Sequence, residues 1–185
     1  MLPLLTNAFK VRMIFVRDNG PASAEALAGF ESQLGSLPDD YREFITAHNG
    51  VSLSGTAQLR GPDKWPVETI EGIQDTEFWH EDYPKGSMPI GDDGSGNTYL
   101  MALTGELRGR IYFLDHELSS ESQKPLGRLP LVADSFADFL ARIQDFDPDD
   151  PEDKELFHVL AERRRKAEEQ REAIHNAKKP WWRIW

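Results

Sequence analysis

The 185-residue chain contains no cysteine. That excludes a disulfide framework, a thiolate nucleophile and cysteine-based metal ligation. It also has no run near the roughly 18 consecutive apolar residues that a membrane helix needs. The N-terminal stretch MLPLLTNAFKVRMIFVRDNG has an apolar flavour, but no basic leading region, continuous apolar centre or small-residue cleavage site, so no signal peptide is expected. A cytoplasmic protein is the expectation. The Gly-Lys-Ser/Thr of a P-loop, the G-x-S-x-G of a nucleophile elbow and the H-E-x-x-H of a zinc helix are all missing, so no cofactor or metal is expected.

Positive charge is scarce as well. Lys and Arg number 21 against 32 Asp and Glu, a net charge of −11. The deficit is uneven. Nine basic and seven acidic residues fall in 152–185, leaving 12 basic and 25 acidic residues in 1–151, a net of −13 there. Such a body repels nucleic acid and anionic membranes. It attracts basic partners and speeds their encounter.

What is present reads as an α+β chain. Pro21–Leu34 predicts a first helix, with Ala24, Leu27, Ala28, Phe30 and Leu34 on one face and Gly35 at its end. Leu37–Gly50, LPDDYREFITAHNG, predicts a second. Asp39 and Asp40 suit its start, Tyr41, Phe44, Ile45 and His48 recur at helical spacing, and Asn49–Gly50 supplies a left-handed stop. Ala57–Leu59 is a weak strand, and Val67–Ile73 fits a strand or a helical turn. Met88–Ile90, Thr98–Leu103 and Arg110–Leu114 are the best strands, the last two joined by Thr104–Gly109. Thr76–Tyr83 suits a loop or short helix. Asp134–Gln144 predicts a late helix with Phe136, Phe139, Leu140 and Ile143 as its apolar stripe. The order helix, helix, strands, helix points to a mostly antiparallel sheet.

Phe146–Asp153 is a proline-broken acidic segment, and Lys154–Ala177 reads as a charged helix. The chain ends KKPWWRIW, an aromatic surface suited to docking on protein. The organisation expected is a domain over 1–146, a linker over 147–153 and a helical extension over 154–185. A homodimer through that extension is left open.

The most distinctive run is MPIGDDGSGNTYLM, Met88 to Met101. Its glycines are spaced GxxGxG and precede a strand pattern, whereas a dinucleotide loop needs GxGxxG between strand and helix. Asp92 and Gly94 do not fit a calcium loop. Asp145, Asp147 and Asp149 alternate as calcium ligands do, but Asp150 stands where glycine belongs and Leu156 where the bidentate glutamate belongs. The plain reading of GDDGSGN is a turn whose glycines permit positive φ. A hydrolase using Asp92 or Asp93 with His80 or His116 would need those side chains to converge in one pocket. His48, on a helix face, suits packing or capping.

Two of these runs together carry a resemblance. LPDDYREFITAHNG resembles the LP…NG helix of the SUKH superfamily, and MPIGDDGSGNTYLMAL resembles that family's second hallmark, PIG-x-x-G-x-G. The resemblance covers about 21–145. It implies an α+β domain with a twisted, mostly antiparallel sheet and no conserved catalytic constellation, so no enzyme is expected. The family takes its name partly from fungal regulators of cell-wall assembly, and its many bacterial members look like toxin-neutralising immunity proteins. The implied function is a non-catalytic protein-binding domain that occludes the active site of a basic toxin domain, plausibly a nuclease. A regulatory scaffold using the same fold is the alternative. The residues expected at the binding face are Trp79, Glu81, Asp82, Tyr83, Asp92 and Asp93, with both aspartates of the turn exposed.

Overall fold

A computed structural model describes residues 15–60, 65–73, 83–118 and 124–145. The chain divides into two units, Met1–Asp145 and Phe146–Trp185, and all described residues belong to the first. The acidic linker, the charged helix, the KKPWWRIW end and the dimer they suggested therefore lie outside the described residues, as do residues 76–82.

The fold is α+β. Among the described residues, strands β1 (Phe15–Asp18), β2 (Val51–Leu53), β3 (Ala57–Leu59), β4 (Thr69–Ile70), β5 (Ser87–Asp92), β6 (Thr98–Ala102), β7 (Ile111–Leu114), β8 (Leu131–Ala133) and β9 (Ile143–Asp145) are joined by three α-helices. These are α1 (Ala24–Leu34), α2 (Asp39–Ala47) and α3 (Phe136–Arg142). Seven strands form one sheet in the order β1-β2-β4-β5-β6-β7-β8, and β3 leaves it to pair with β9. Every pairing among these described strands is antiparallel. Among the described residues no helix is long and apolar enough to cross a membrane.

The helices start and stop where their side chains allow. The Ser23 hydroxyl accepts from Ala26 N–H at 3.1 Å and opens α1, so Pro21 lies ahead of the helix rather than inside its first turn. Ser135 does the same for α3 through Asp138 N–H at 3.0 Å. Asp40 adds a second cap from a distance, accepting from Ala137 N–H at 2.8 Å and so tying α2 to the start of α3. After α2 the chain takes positive φ at Asn49 (44°) and Gly50 (96°). Asn49 Oδ1 then accepts from Ile73 N–H at 2.8 Å. Gly72 packs so closely on Asn49 that a Cβ there would meet the Asn49 carbonyl carbon at 2.5 Å.

The central strands bury both faces, which is why they read as unbroken apolar runs rather than alternating ones. Tyr99, Met101, Ile111 and Phe113 face one core with Leu37, Tyr41, Phe44, Ile45, Phe136 and Phe139 of the helical layer. Leu100, Ala102, Tyr112 and Leu114 face the other, covered by Leu126 and Leu129. Each such side chain, fully buried, contributes about 1.5–3 kcal/mol. Two buried hydroxyls find backbone acceptors: Tyr41 donates to the Glu71 carbonyl at 3.0 Å and Tyr99 to that of Pro66 at 2.6 Å.

Four differences from the sequence expectation have physical causes. The described residues open on a strand, because Phe15–Asp18 pairs with Val51–Leu53. Val67–Ile73 supplies only the two-residue strand β4. The Thr104–Gly109 connection tightens into a 3-10 turn at Gly105–Leu107. The last helix ends at Arg142 because Ile143 turns extended, at φ −71° and ψ 130°, to pair with Leu59.

Candidate functional site

The stretch GDDGSGN is the turn of the β5–β6 hairpin, with Asp92 facing Thr98 across its base. Two aspartates build it. Asp92 Oδ1 accepts from Gly94 N–H at 2.8 Å. Asp93 Oδ1 accepts from Ser95 N–H at 2.8 Å and Asn97 N–H at 3.1 Å, while its Oδ2 accepts from Asn97 Nδ2 at 2.7 Å. The chain turns through Gly94 at φ 73° and Gly96 at φ 102°, angles that side-chain-bearing residues avoid. A Cβ on Gly94 would run into the Glu68 carboxylate, and one on Gly96 would press the His116 ring at 3.2 Å.

Asn97 carries the network to the next loop. Its Oδ1 accepts from His116 N–H at 3.0 Å and lies 2.8 Å from His116 Nδ1. Asp115 Oδ1 in turn accepts from Glu117 N–H at 2.9 Å. Glu68 enters from the start of β4, donating its N–H to the Asp92 carbonyl at 2.9 Å. One end of the sheet therefore gathers Glu68, Asp92, Asp93, Asp115 and Glu117 from three neighbouring segments. Segments 65–73, 86–107 and 111–123 contain no Lys or Arg. Tyr99 lies beneath them. Burial, then the charges of Asp93 and Asp92, push its phenol well above the ordinary range.

The expected site residues separate in this geometry. Asp92 is half-buried at the turn and holds one hydrogen bond. Asp93 was expected to be exposed; it is 9% exposed, because its oxygens are turned inward onto three donors. Tyr83 is half-buried and packs against both apolar clusters. Trp79, Glu81 and Asp82 lie outside the described residues, as does His80 of the hydrolase alternative. His116 does reach Asp93, through Asn97. Among the described residues no three His, Asp or Glu side chains gather as a metal site. Asp145 accepts from the hydroxyls of Ser54 and Thr56. His48 caps α2 and pairs through Nδ1 with Asp18 at 2.9 Å, between the rings of Phe15 and Phe44.

Sequence reasoning missed Glu68, Asn97, Asp115 and Glu117. Only pairing of β4, β5, β6 and β7 brings them together, and the chain pattern around each is ordinary. The one local signal was Asn97 itself, a polar residue closing a glycine turn directly before an apolar strand.

An antiparallel sheet backed by helices, with a glycine hairpin at one end, is the frame of a SUKH domain. The family model described as SMI1 / KNR4 family (SUKH-1) matches residues 21–142, and the chain belongs to that family. SUKH domains are generally non-catalytic, and proteins of this superfamily bind protein toxins. No curated protein matches the chain.

Proposed function

We propose that this chain is an immunity protein that neutralises a basic toxin domain of the nuclease kind by covering its active site. The observation that carries the reading is the convergence of Glu68, Asp92, Asp115 and Glu117 at one sheet end of a SUKH domain. A nuclease must present a cationic surface to a phosphate backbone. An acidic end of this kind competes for that surface, and its charge sets the encounter rate more than the final affinity. Trp79, Glu81 and Asp82 stay in the proposed contact set beside Asp92. Asp93 serves as the turn's internal acceptor, and Tyr83 as partly buried packing.

The test is capture from native lysate with the full chain as bait, washed at low and high salt. The expected result is one basic toxin domain, released as salt rises because exposed charges are screened within about 10 Å at 0.1 M. The combined reversal Glu68→Lys, Asp92→Lys and Glu117→Lys should abolish capture and leave the circular dichroism spectrum unchanged. Unaltered capture by that variant rules out this surface. A second reading, a regulatory scaffold, is favoured by the 146–185 unit, which lies beyond the family match at 21–142. It expects several endogenous partners, all lost when that unit is removed.

A further inference from the structure

The hydrogen positions around Asn97 follow from counting donors and acceptors. Asp93 Oδ2, 2.7 Å away, needs a donor, so the amide nitrogen of Asn97 faces it. The backbone N–H of His116 needs an acceptor, so the amide oxygen faces that side. The reversed amide would set oxygen against carboxylate and NH2 against N–H, two clashes at once. An amide oxygen only accepts. His116 Nδ1, 2.8 Å from it, must therefore carry a hydrogen. In the neutral ring this leaves Nε2 as a bare acceptor, and among the described residues none donates to it.

We propose that His116 is the hydrogen-bond acceptor of the contact face, its tautomer locked by the Asp93–Asn97 relay, and that it takes an ammonium or guanidinium N–H of the partner. This rests on the basic-partner reading above and adds to it a single atom and a pH dependence. Facing the ring from the hairpin are Asn97 and Gly96, neither of which titrates, with Asp93 behind Asn97. On its own loop Asp115 and Glu117 flank it. Protonation puts a hydrogen and a positive charge on Nε2. The acceptor is lost and a cation then faces a cationic partner. Acidification that charges the ring should therefore weaken binding.

Two measurements on the full-length chain test this. Long-range proton–nitrogen correlation at about pH 8, above the imidazole range, reads the tautomer directly. We expect a protonated Nδ1 and an unprotonated Nε2 at His116, reverting in Asn97→Leu to the Nε2–H form usual for free histidine. An Nε2–H signal in the unsubstituted chain overturns the proposal. The second measurement is calorimetric binding of a lysine decapeptide at about pH 8 and about pH 5.5, either side of the imidazole charge change. Affinity should fall about three- to tenfold at the lower pH, the worth of one such hydrogen bond. His116→Phe should lose a similar factor at the higher pH and much less at the lower. A peptide that binds the unsubstituted chain equally at both pH values overturns this inference and leaves the acidic-face reading standing. A peptide that binds at neither pH overturns both.

Discussion

Asp93→Ala separates a carboxylate that builds the turn from one that meets a partner. Asp93 is 9% exposed and accepts three hydrogen bonds. The donor Ser95 N–H lies on an exposed residue and water replaces its partner at little cost. Both Asn97 donors are half-buried, and hydrogen bonds to a charged group are worth about 1.5–3 kcal/mol each. Losing the pair costs about 3 kcal/mol. For a urea dependence of about 2 kcal/mol per molar, the unfolding midpoint of the full chain should drop by about 1.5 M. Asp92→Ala removes one bond to an exposed glycine and should cost under about 1 kcal/mol. Asp93→Asn keeps an acceptor for the backbone but sets NH2 against the NH2 of Asn97, so it should fall between the two. Fluorescence-monitored urea titrations of the three variants decide the matter. Equal midpoints for Asp92→Ala and Asp93→Ala would refute the internal role of Asp93 and return it to the contact face.

Gly72→Ala drives a methyl group into the Asn49 backbone at 2.5 Å and should destabilise by about 1–3 kcal/mol, seen as a lower thermal midpoint. Gly96→Ala forces alanine to φ 102° against the His116 ring; it should cost about 1–2 kcal/mol and broaden the His116 resonances. Burial raises the Tyr41 and Tyr99 phenols, so the folded state holds those protons more tightly than the unfolded one. Their contribution is full below the unfolded value near pH 10 and is lost as pH rises above it, by about 1.4 kcal/mol per pH unit for each. Ultraviolet titration should show two of the four tyrosines ionising only as the chain unfolds.

The elements legible in sequence were those with a local signature. The α2 helix announced itself by Tyr41, Phe44 and Ile45 at helical spacing and by the Asn49–Gly50 stop, and all three side chains are buried. The central hairpin announced itself by glycines between apolar runs. Strand β1 did not: FVRD is an edge strand with Val16 69% exposed, so burial imposes no alternation on it. Strands β2, β8 and β9 are three residues each, too short to show a period. Ile143 carried a helical spacing that pairing with β3 overrode. The site was less legible than the fold. Asp92 and Asp93 are neighbours of one type, yet one holds a single backbone donor and the other three donors. What distinguishes them is Asn97, which donates twice to Asp93 and is steadied by His116 from the loop after β7.

The pairing of β3 with β9 sets an order of assembly. The β5–β6 hairpin closes over five residues, 93–97, and hairpins of that kind form in about 1–10 μs. The β3–β9 ladder must close over 83 residues, 60–142, an entropic handicap of about 2.5 kcal/mol relative to the hairpin. The acidic turn, with its relay to Asn97, can therefore take shape while the chain is still largely open. On loop entropy alone the small sheet is expected to close later, with Ile143–Asp145 reaching Ala57–Leu59. The turn that carries Asp92 is thus a local element of the proposed contact end, whereas the β3–β9 ladder is a long-range closure.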